Sequence, residues 1–196
     1  CGQFVVQPGQ PEMVFLEIQV SQVVMGFEMP GIVLERFGKI DFLINNAGVA
    51  VSGSLETTDH SIFESASRIN ILGSIYPTKV FLDELVKSKG GILFISSLAG
   101  IIGLPNYSIY SYNKRSIVSF AESMKNELYE KDVFVGVNYP GFTENDVKKK
   151  IIKPDGSEVI LKKRINVKVD SLDKTVWSII NQLKKRKFRS FSSTNG

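Results

Sequence analysis

Cysteine and histidine are almost missing from this chain, whose 196 residues hold one of each. A lone Cys1 excludes an internal disulfide framework and fits a reducing, cytoplasmic compartment. Its terminal position, without basic neighbours, also argues against a reactive thiol. His60 has Asp59 beside it but no second imidazole and no cysteine cluster. No metal site is therefore expected, and His60 reads as a surface residue near a helix start. No stretch reaches the ~18 continuous apolar residues of a membrane span. The opening Cys1-Gly2-Gln3-Phe4-Val5-Val6 has neither a basic leader nor a small-residue cleavage site, which adds to the cytoplasmic expectation. Internal repeats and domain linkers are absent too. With 43% hydrophobic and 22% charged residues, residues 1–196 read as one soluble domain with a sizeable core.

Charge is present but unevenly placed. The net +4 is concentrated in Lys148-Lys149-Lys150, Lys162-Lys163-Arg164 and Lys184-Lys185-Arg186-Lys187. No RNP, KH or zinc-finger pattern accompanies these runs, so nucleic-acid binding is not expected. The last run follows Val176-Trp177-Ser178-Ile179-Ile180-Asn181-Gln182-Leu183, which has apolar residues at helical spacing. There the lysines complement the dipole at a helix C-terminus.

What the sequence does have is Tyr110-Ser111-Tyr112-Asn113-Lys114, with Ser97 thirteen residues ahead of the first tyrosine. A phenol and an ammonium four residues apart share one helix face. A free tyrosine, with a pKa of about 10, is a poor acid–base catalyst at neutral pH. Bringing it near 7 needs the phenolate stabilised by roughly 4 kcal/mol, which one lysine charge at about 4 Å supplies at an effective dielectric near 20. Tyr107 and Tyr112 have Ser111 and Ser116 four residues on, so neither has that partner.

Taken alone, YxxxK is a common accident of an amphipathic helix, and its surroundings decide. Gly91-Ile92-Leu93-Phe94-Ile95-Ser96-Ser97 reads as a buried strand ending in hydroxyls. Ile40-Asp41-Phe42-Leu43-Ile44 is another strand, closed by Asn45-Asn46-Ala47-Gly48. Val133-Phe134-Val135-Gly136-Val137-Asn138 is a third, closed by Tyr139-Pro140-Gly141. In open α/β sheets, ligands bind beyond the carboxyl ends of the strands. Asn45 to Gly48, Asn70, Ser97, Tyr110-x-x-x-Lys114 and Pro140-Gly141 together, in this order and spacing, resemble the short-chain dehydrogenase/reductase family.

The resemblance implies a Rossmann-like α/β fold with a doubly wound parallel sheet, NAD or NADP as cofactor, and hydride transfer between nicotinamide and a small-molecule carbonyl or alcohol. It implies that Tyr110 gives or takes the hydroxyl proton and that Ser97 hydrogen-bonds the substrate oxygen. Lys114 would tune Tyr110 and bind the nicotinamide ribose. Asn70 would hold a water linking Lys114 to solvent, or else serve as a helix asparagine bonded to nearby backbone. Asn46, Ala47 and Gly48 would pass the adenosine side of the cofactor. Pro140 and Gly141 would turn the chain at its nicotinamide end, where backbone at Phe142 or Thr143 meets the carboxamide. Ser96 competes with Ser97, and the thirteen-residue interval favours Ser97. The family usually has an aliphatic residue where Thr143 stands and a threonine where Asn145 stands.

A larger departure lies at the start. The family's first strand, TGxxxGxG turn and helix hold the pyrophosphate, and no such motif precedes Asn45. The family's adenine-contacting aspartate falls here on Gln19, and nothing chooses NAD or NADP. The fold is thus expected to be N-terminally incomplete. Either a complete enzyme has lost its opening from this sequence or the chain is a natural truncation, and the intact catalytic half favours the former. A strand at 13–20 should then lose its neighbour, and the strand at 41–44 should expose one backbone edge, unless residues 3–7 or a partner fill the gap. The strands at 40–45, 91–96 and 133–138 should lie parallel and adjacent, in that order.

Helices are expected over 31–37, stopped by Gly38, over 57–75 with Thr58 as cap, and over 77–88, 110–129 and 171–185, with a last strand at 188–191. The segment 143–170 carries a Pro154-Asp155-Gly156 turn signal. In the family this is where the substrate lid usually lies, and its basic, aliphatic character points to a lipid-like or acyl substrate. A homo-oligomer built on the Asn70 and Tyr110 helices is expected, with Ser116, Ser119, Ser123 and Asn126 offering a flat face. The alternative function is a catalytically silent binding or scaffold protein.

Overall fold

The computed structural model describes residues 3–6, 14–17, 29–144, 149–161 and 167–192, with backbone alone at 3–6, 14–17, 29 and 30. In chain order the elements are β1 (Gln3–Val6), β2 (Val14–Glu17), α1 (Met29–Phe37), β3 (Phe42–Asn45) and α2 (His60–Ser67). A π turn (Arg68–Leu72) leads into α3 (Gly73–Lys87), then β4 (Gly91–Ile95), α4 (Ser108–Glu127) and β5 (Phe134–Tyr139). The chain continues through β6 (Lys150–Ile152), β7 (Glu158–Ile160), α5 (Leu172–Lys184) and β8 (Arg189–Phe191). Six strands form one sheet in the order β1-β2-β3-β4-β5-β8, and all its pairings are parallel except β1 with β2.

Every residue of β4 and β5 is buried, because helices cover both faces of the sheet. On one face Phe81 and Leu85 of α3 and Ile117, Val118 and Ala121 of α4 pack on Ile92, Phe94, Val135 and Val137. On the other face Leu183 and Ile179 of α5 meet Leu93, Ile95 and Phe134. This is the doubly wound parallel arrangement, and β3, β4 and β5 stand adjacent in the expected order. Asn138 anchors α5 by donating to Gln182 Oε1 at 2.8 Å.

The N-terminal strands depart from expectation. Val14–Glu17 does not lose its neighbour: it pairs in parallel with β3, with Leu16 opposite Leu43, while β1 adds antiparallel to its outer edge. The edge of β3 is therefore not exposed. A central edge left open would strand buried donors and acceptors at about 1–3 kcal/mol each, and the next strand along the chain takes the place instead.

Helix boundaries shift as well. Asp59, not Thr58, caps α2, accepting from the backbone N–H and hydroxyl of Ser61 at 2.8 and 2.6 Å. Thr58 lies one residue earlier, with its hydroxyl donating to Ser54 O at 2.7 Å. The two helices expected on either side of residue 76 are one continuous run, with the π turn inside it and Pro77 within α3. Burial of Pro77, Thr78, Phe81 and Leu85 holds that run against the helix-breaking preference of proline. α1 ends as expected, with Gly38 at φ 73° donating to Leu34 O.

Helices α3, α4 and α5 are each followed, just before a strand, by a left-handed residue that is not glycine: Lys89, Asp132 and Arg186. Arg186 joins the three turns. Its guanidinium donates to Asp132 O at 2.6 Å, to Asp132 Oδ1 at 3.2 Å and to Lys89 O at 3.4 Å. This clamp closes the amino end of the sheet, opposite the carboxyl ends where the motif residues gather.

Candidate active site

The carboxyl end of β4 separates the two serines by role. Ser96 is buried and donates to the backbone carbonyl of Lys114 at 2.9 Å, which fastens α4 to the strand end. Ser97 is half-buried, and its hydroxyl oxygen accepts from Ala99 N at 3.2 Å, capping the short 3-10 turn over Leu98–Gly100. Accepting that bond leaves the hydroxyl its proton to donate.

Tyr110 sits in the first turn of α4 and Lys114 one turn further on. The Lys114 ammonium lies 5.9 Å from the Tyr110 ring centroid and donates to Ile95 O at 2.8 Å. A unit charge about 6 Å from a phenolate would be worth about 3 kcal/mol at an effective dielectric of 20. The N-terminus of α4 adds roughly 0.3–1 kcal/mol for a negative group in its first turn. Burial pushes the Lys114 ammonium down to about 8, with the charge of Lys149 adding to the shift. Among the described residues no carboxylate pairs with it.

The loop after β3 closes onto this pair. A Cβ at Gly48 would stand 2.6 Å from Asn70 Oδ1 and 3.3 Å from Lys114 Nζ, so only glycine permits the approach. Asn70 lies fully buried in the π turn. It accepts from Val49 N at 3.1 Å and donates to Val49 O and Ala66 O at 3.0 and 2.8 Å. Its side chain thus serves the backbone. Asn46 and Gly48 are exposed and Ala47 is half-buried. Gly48→Ala should push the loop off Asn70 and Lys114. The expected result is at least a tenfold loss of nucleotide affinity by titration calorimetry in a folded protein, and unchanged affinity would remove the loop from the site.

Pro140 and Gly141 follow β5 at the same end of the sheet, where Ser96 N donates to Asn138 O at 2.9 Å. The Thr143 hydroxyl faces that of Thr175 at 3.2 Å, and its backbone bridges to Asp170, so its side chain is engaged with the start of α5. Asn145 and Gln19 lie outside the described residues.

The 143–170 segment contributes an antiparallel hairpin, β6–β7, turning at residues 154–156. Ile152 bridges to Val51 and exchanges backbone bonds with Ala50 and Ser52, and Pro154 covers Gly53. Ile152 also packs on the cluster of Val51, Ala66 and Ile109, next to Asn70 and Tyr110. The turn signal at Pro154-Asp155-Gly156 marks the bend, and the flanking Ile151-Ile152 and Val159-Ile160 are the further sign by which the hairpin could have been found. The carbonyl of Ile95 as the seat of Lys114 has no such signal, because any residue supplies one.

The comparisons with known proteins agree with this geometry. A family model described as short chain dehydrogenase matches residues 6–156. The 3-ketodihydrosphingosine reductase of Bos taurus is 37% identical over 111 residues, covering 56% of this chain and 33% of the relative. Two solved structures, "ElxO with NADP Bound" and an NAD+-bound xylitol dehydrogenase, each superpose with a TM-score of 0.61. They are 28% and 26% identical, each covers 65% of this chain, and the chain covers 52% and 50% of them. The chain spans about a third of the length of the curated relative and about half of the solved ones. With the motif residues assembled at one end of a parallel sheet and the family model matching most of its length, the chain belongs to the short-chain dehydrogenase family.

Proposed function

We propose that this chain carries an NAD(P)-dependent oxidoreductase site that moves hydride between a nicotinamide and a carbonyl/alcohol pair, with Tyr110 as the proton donor and acceptor. The observation that carries this reading is Lys114, a buried cation beside the Tyr110 ring and under Gly48, with a backbone carbonyl as its one hydrogen-bond partner among the described residues. Such a group is costly to bury unless an anion or a set of hydroxyls meets it in use. The residues fit the nicotinamide half of the cofactor. Gly48 lets the loop come down onto Asn70 and Lys114, and Lys114 would hold the ribose hydroxyls. The nicotinamide supplies or accepts the hydride when bound. In the reducing direction Tyr110 donates its proton to the substrate oxygen, Ser97 donates a hydrogen bond to the same oxygen, and Lys114 stabilises the phenolate left behind. Asn70 keeps the loop carrying Asn46, Ala47 and Gly48 in register, and Pro140, Gly141 and the backbone at Thr143 close the nicotinamide end.

The substrate is a ketone or alcohol on a long apolar chain. Ile101, Ile102 and Leu104, in the loop after Ser97, and Phe142, after Gly141, are exposed large hydrophobics around the carboxyl ends of β4 and β5. The bovine relative is named for a long-chain keto lipid. The protein works in the cytoplasm as a homo-oligomer through the α2–α3 and α4 helices, where Phe63 and Tyr112 stack in partial exposure with ring centroids 5.7 Å apart. A monomeric mass by light scattering at micromolar concentration would count against that assembly.

Calorimetric titration with NADH and NADPH, followed by turnover on a series of 3-keto acyl chains, tests the reading. Nucleotide binding is expected, with kcat/KM rising by up to about fourfold per added methylene, the worth of ~0.8 kcal/mol. A folded protein that binds neither nucleotide overturns it in favour of a binding or scaffold role. Sequencing upstream of Cys1 for an in-frame TGxxxGxG motif is the companion check on the pyrophosphate end.

A further inference from the structure

Asn70, Ser74, Thr78, Phe81 and Leu85 form one stripe along the helical run, at spacings of three and four residues. All five are buried to 2% exposure or less. At the far end the stripe is apolar, as a helix packed on a sheet requires. Toward the site it is polar at three consecutive positions of the stripe. Buried hydroxyls are costly unless paired, and serine or threonine bonded back to its own helix is mildly unfavourable. Here every one is paired. Ser74 donates to Asn70 O at 3.0 Å, and Thr78 donates to Ser74 O at 2.8 Å. Thr78 Oγ1 in turn accepts from Asn45 Nδ2 at 2.9 Å.

Where these bonds land gives the stripe its purpose. Asn45 is the last residue of β3, immediately before Asn46, and Val49 is the first residue after Gly48. The same helix therefore grips the loop 46–48 at both ends, through Thr78 on Asn45 and through Asn70 on Val49, with Ser74 tying the two grips together. Across the π turn, Ser67 donates to Asn113 Oδ1 at 3.0 Å, which holds the helix against the Tyr110–Lys114 helix as well.

We propose that Thr78 and Ser74, with Asn45, are positioning residues for the nucleotide. They set the span of the loop 46–48, and thereby the height of Gly48 above Lys114. This inference rests on the reading of the site as a nicotinamide site. None of the three residues needs to touch the ligand. Their bonds end on backbone carbonyls and on one another, so they act as a jig and not as a proton wire.

The test is Thr78→Val, which keeps the shape and removes the donor and acceptor together, set beside Thr78→Ser, which keeps the hydroxyl. Affinity for NADH and NADPH is read by titration, and kcat is read at saturating nucleotide. Thr78→Val should weaken nucleotide affinity and raise nucleotide KM about tenfold or more, with kcat within about threefold of the parent. Thr78→Ser should restore the parent affinity. If Thr78→Val alone fails to fold, the pair Asn45→Val/Thr78→Val, which leaves no buried partner stranded, must fold and show the same loss. A parent that binds nucleotide alongside a valine variant that binds it equally well overturns this inference alone. A folded parent that binds neither nucleotide overturns the site reading, and this inference with it.

Discussion

Tyr110→Phe should lower kcat by about 10²–10⁴-fold, the usual worth of a positioned general acid–base, while nucleotide affinity stays within about twofold of the parent. The substitution removes one oxygen and its proton and leaves the ring that lies beside Lys114. Loss of kcat and kcat/KM in equal measure is the signature of an interaction made only in the transition state. Unchanged kcat would take Tyr110 out of the chemistry. Ser97→Ala should be damaging by the same measure, whereas Ser96→Ala should act on stability, because its hydroxyl is spent on the Lys114 carbonyl.

Lys114→Met should do two opposite things: abolish nucleotide binding and turnover, and make the folded protein more stable at pH 7. Burial lowers the lysine from 10.5 to about 8. The folded state therefore binds fewer protons than the unfolded state between those values, and stability rises with pH through that window. Below pH 8 the full penalty of about 3 kcal/mol is present. Losing the bond to Ile95 O returns about 1 kcal/mol of it, so a net gain of about 2 kcal/mol is expected at pH 7. Urea unfolding at pH 7 and pH 10 measures this, and the advantage of the methionine variant should shrink at the higher pH. A variant less stable than the parent at pH 7 would mean that the charge is not held at a cost. The site, on this account, keeps a strained cation for its chemistry.

The placement of Ser97 at a strand end and of Tyr110 and Lys114 on one helix was legible because it is local. A strand end and two residues one helical turn apart need no knowledge of the rest of the chain. Gly48 was legible as part of a motif, though its reason, the 2.6 Å approach to Asn70, belongs to tertiary structure. The placement of β2 was not legible. Which strand lies beside β3 depends on which strands are available, and pairing partners leave no mark on either strand. Pro77 misled because proline breaks most helices, and only the packing of Thr78, Phe81 and Leu85 on the sheet outweighs that here. Asp59 and Thr58 are both cap-forming types, and Asp59, the stronger of the two, takes the place by accepting twice from Ser61. The hairpin strands are three residues each, too short for periodicity to register.

The Arg186 clamp divides the molecule for anyone who would alter it. One side chain reaches three chain reversals, at Lys89, Asp132 and its own position, each already in a left-handed conformation that leaves little slack. An insertion, a tag or new chain termini at any of the three would be felt at the other two. The hairpin tip at 154–156 shares no bond with this clamp and lies toward the other end of the sheet. That tip is tied instead to the loop after β3 and to the start of α2, through Pro154 against Gly53 and the Asp59 N–H on Pro154 O at 3.1 Å, so changes there reach the candidate site and leave the frame that sets the strands as it is.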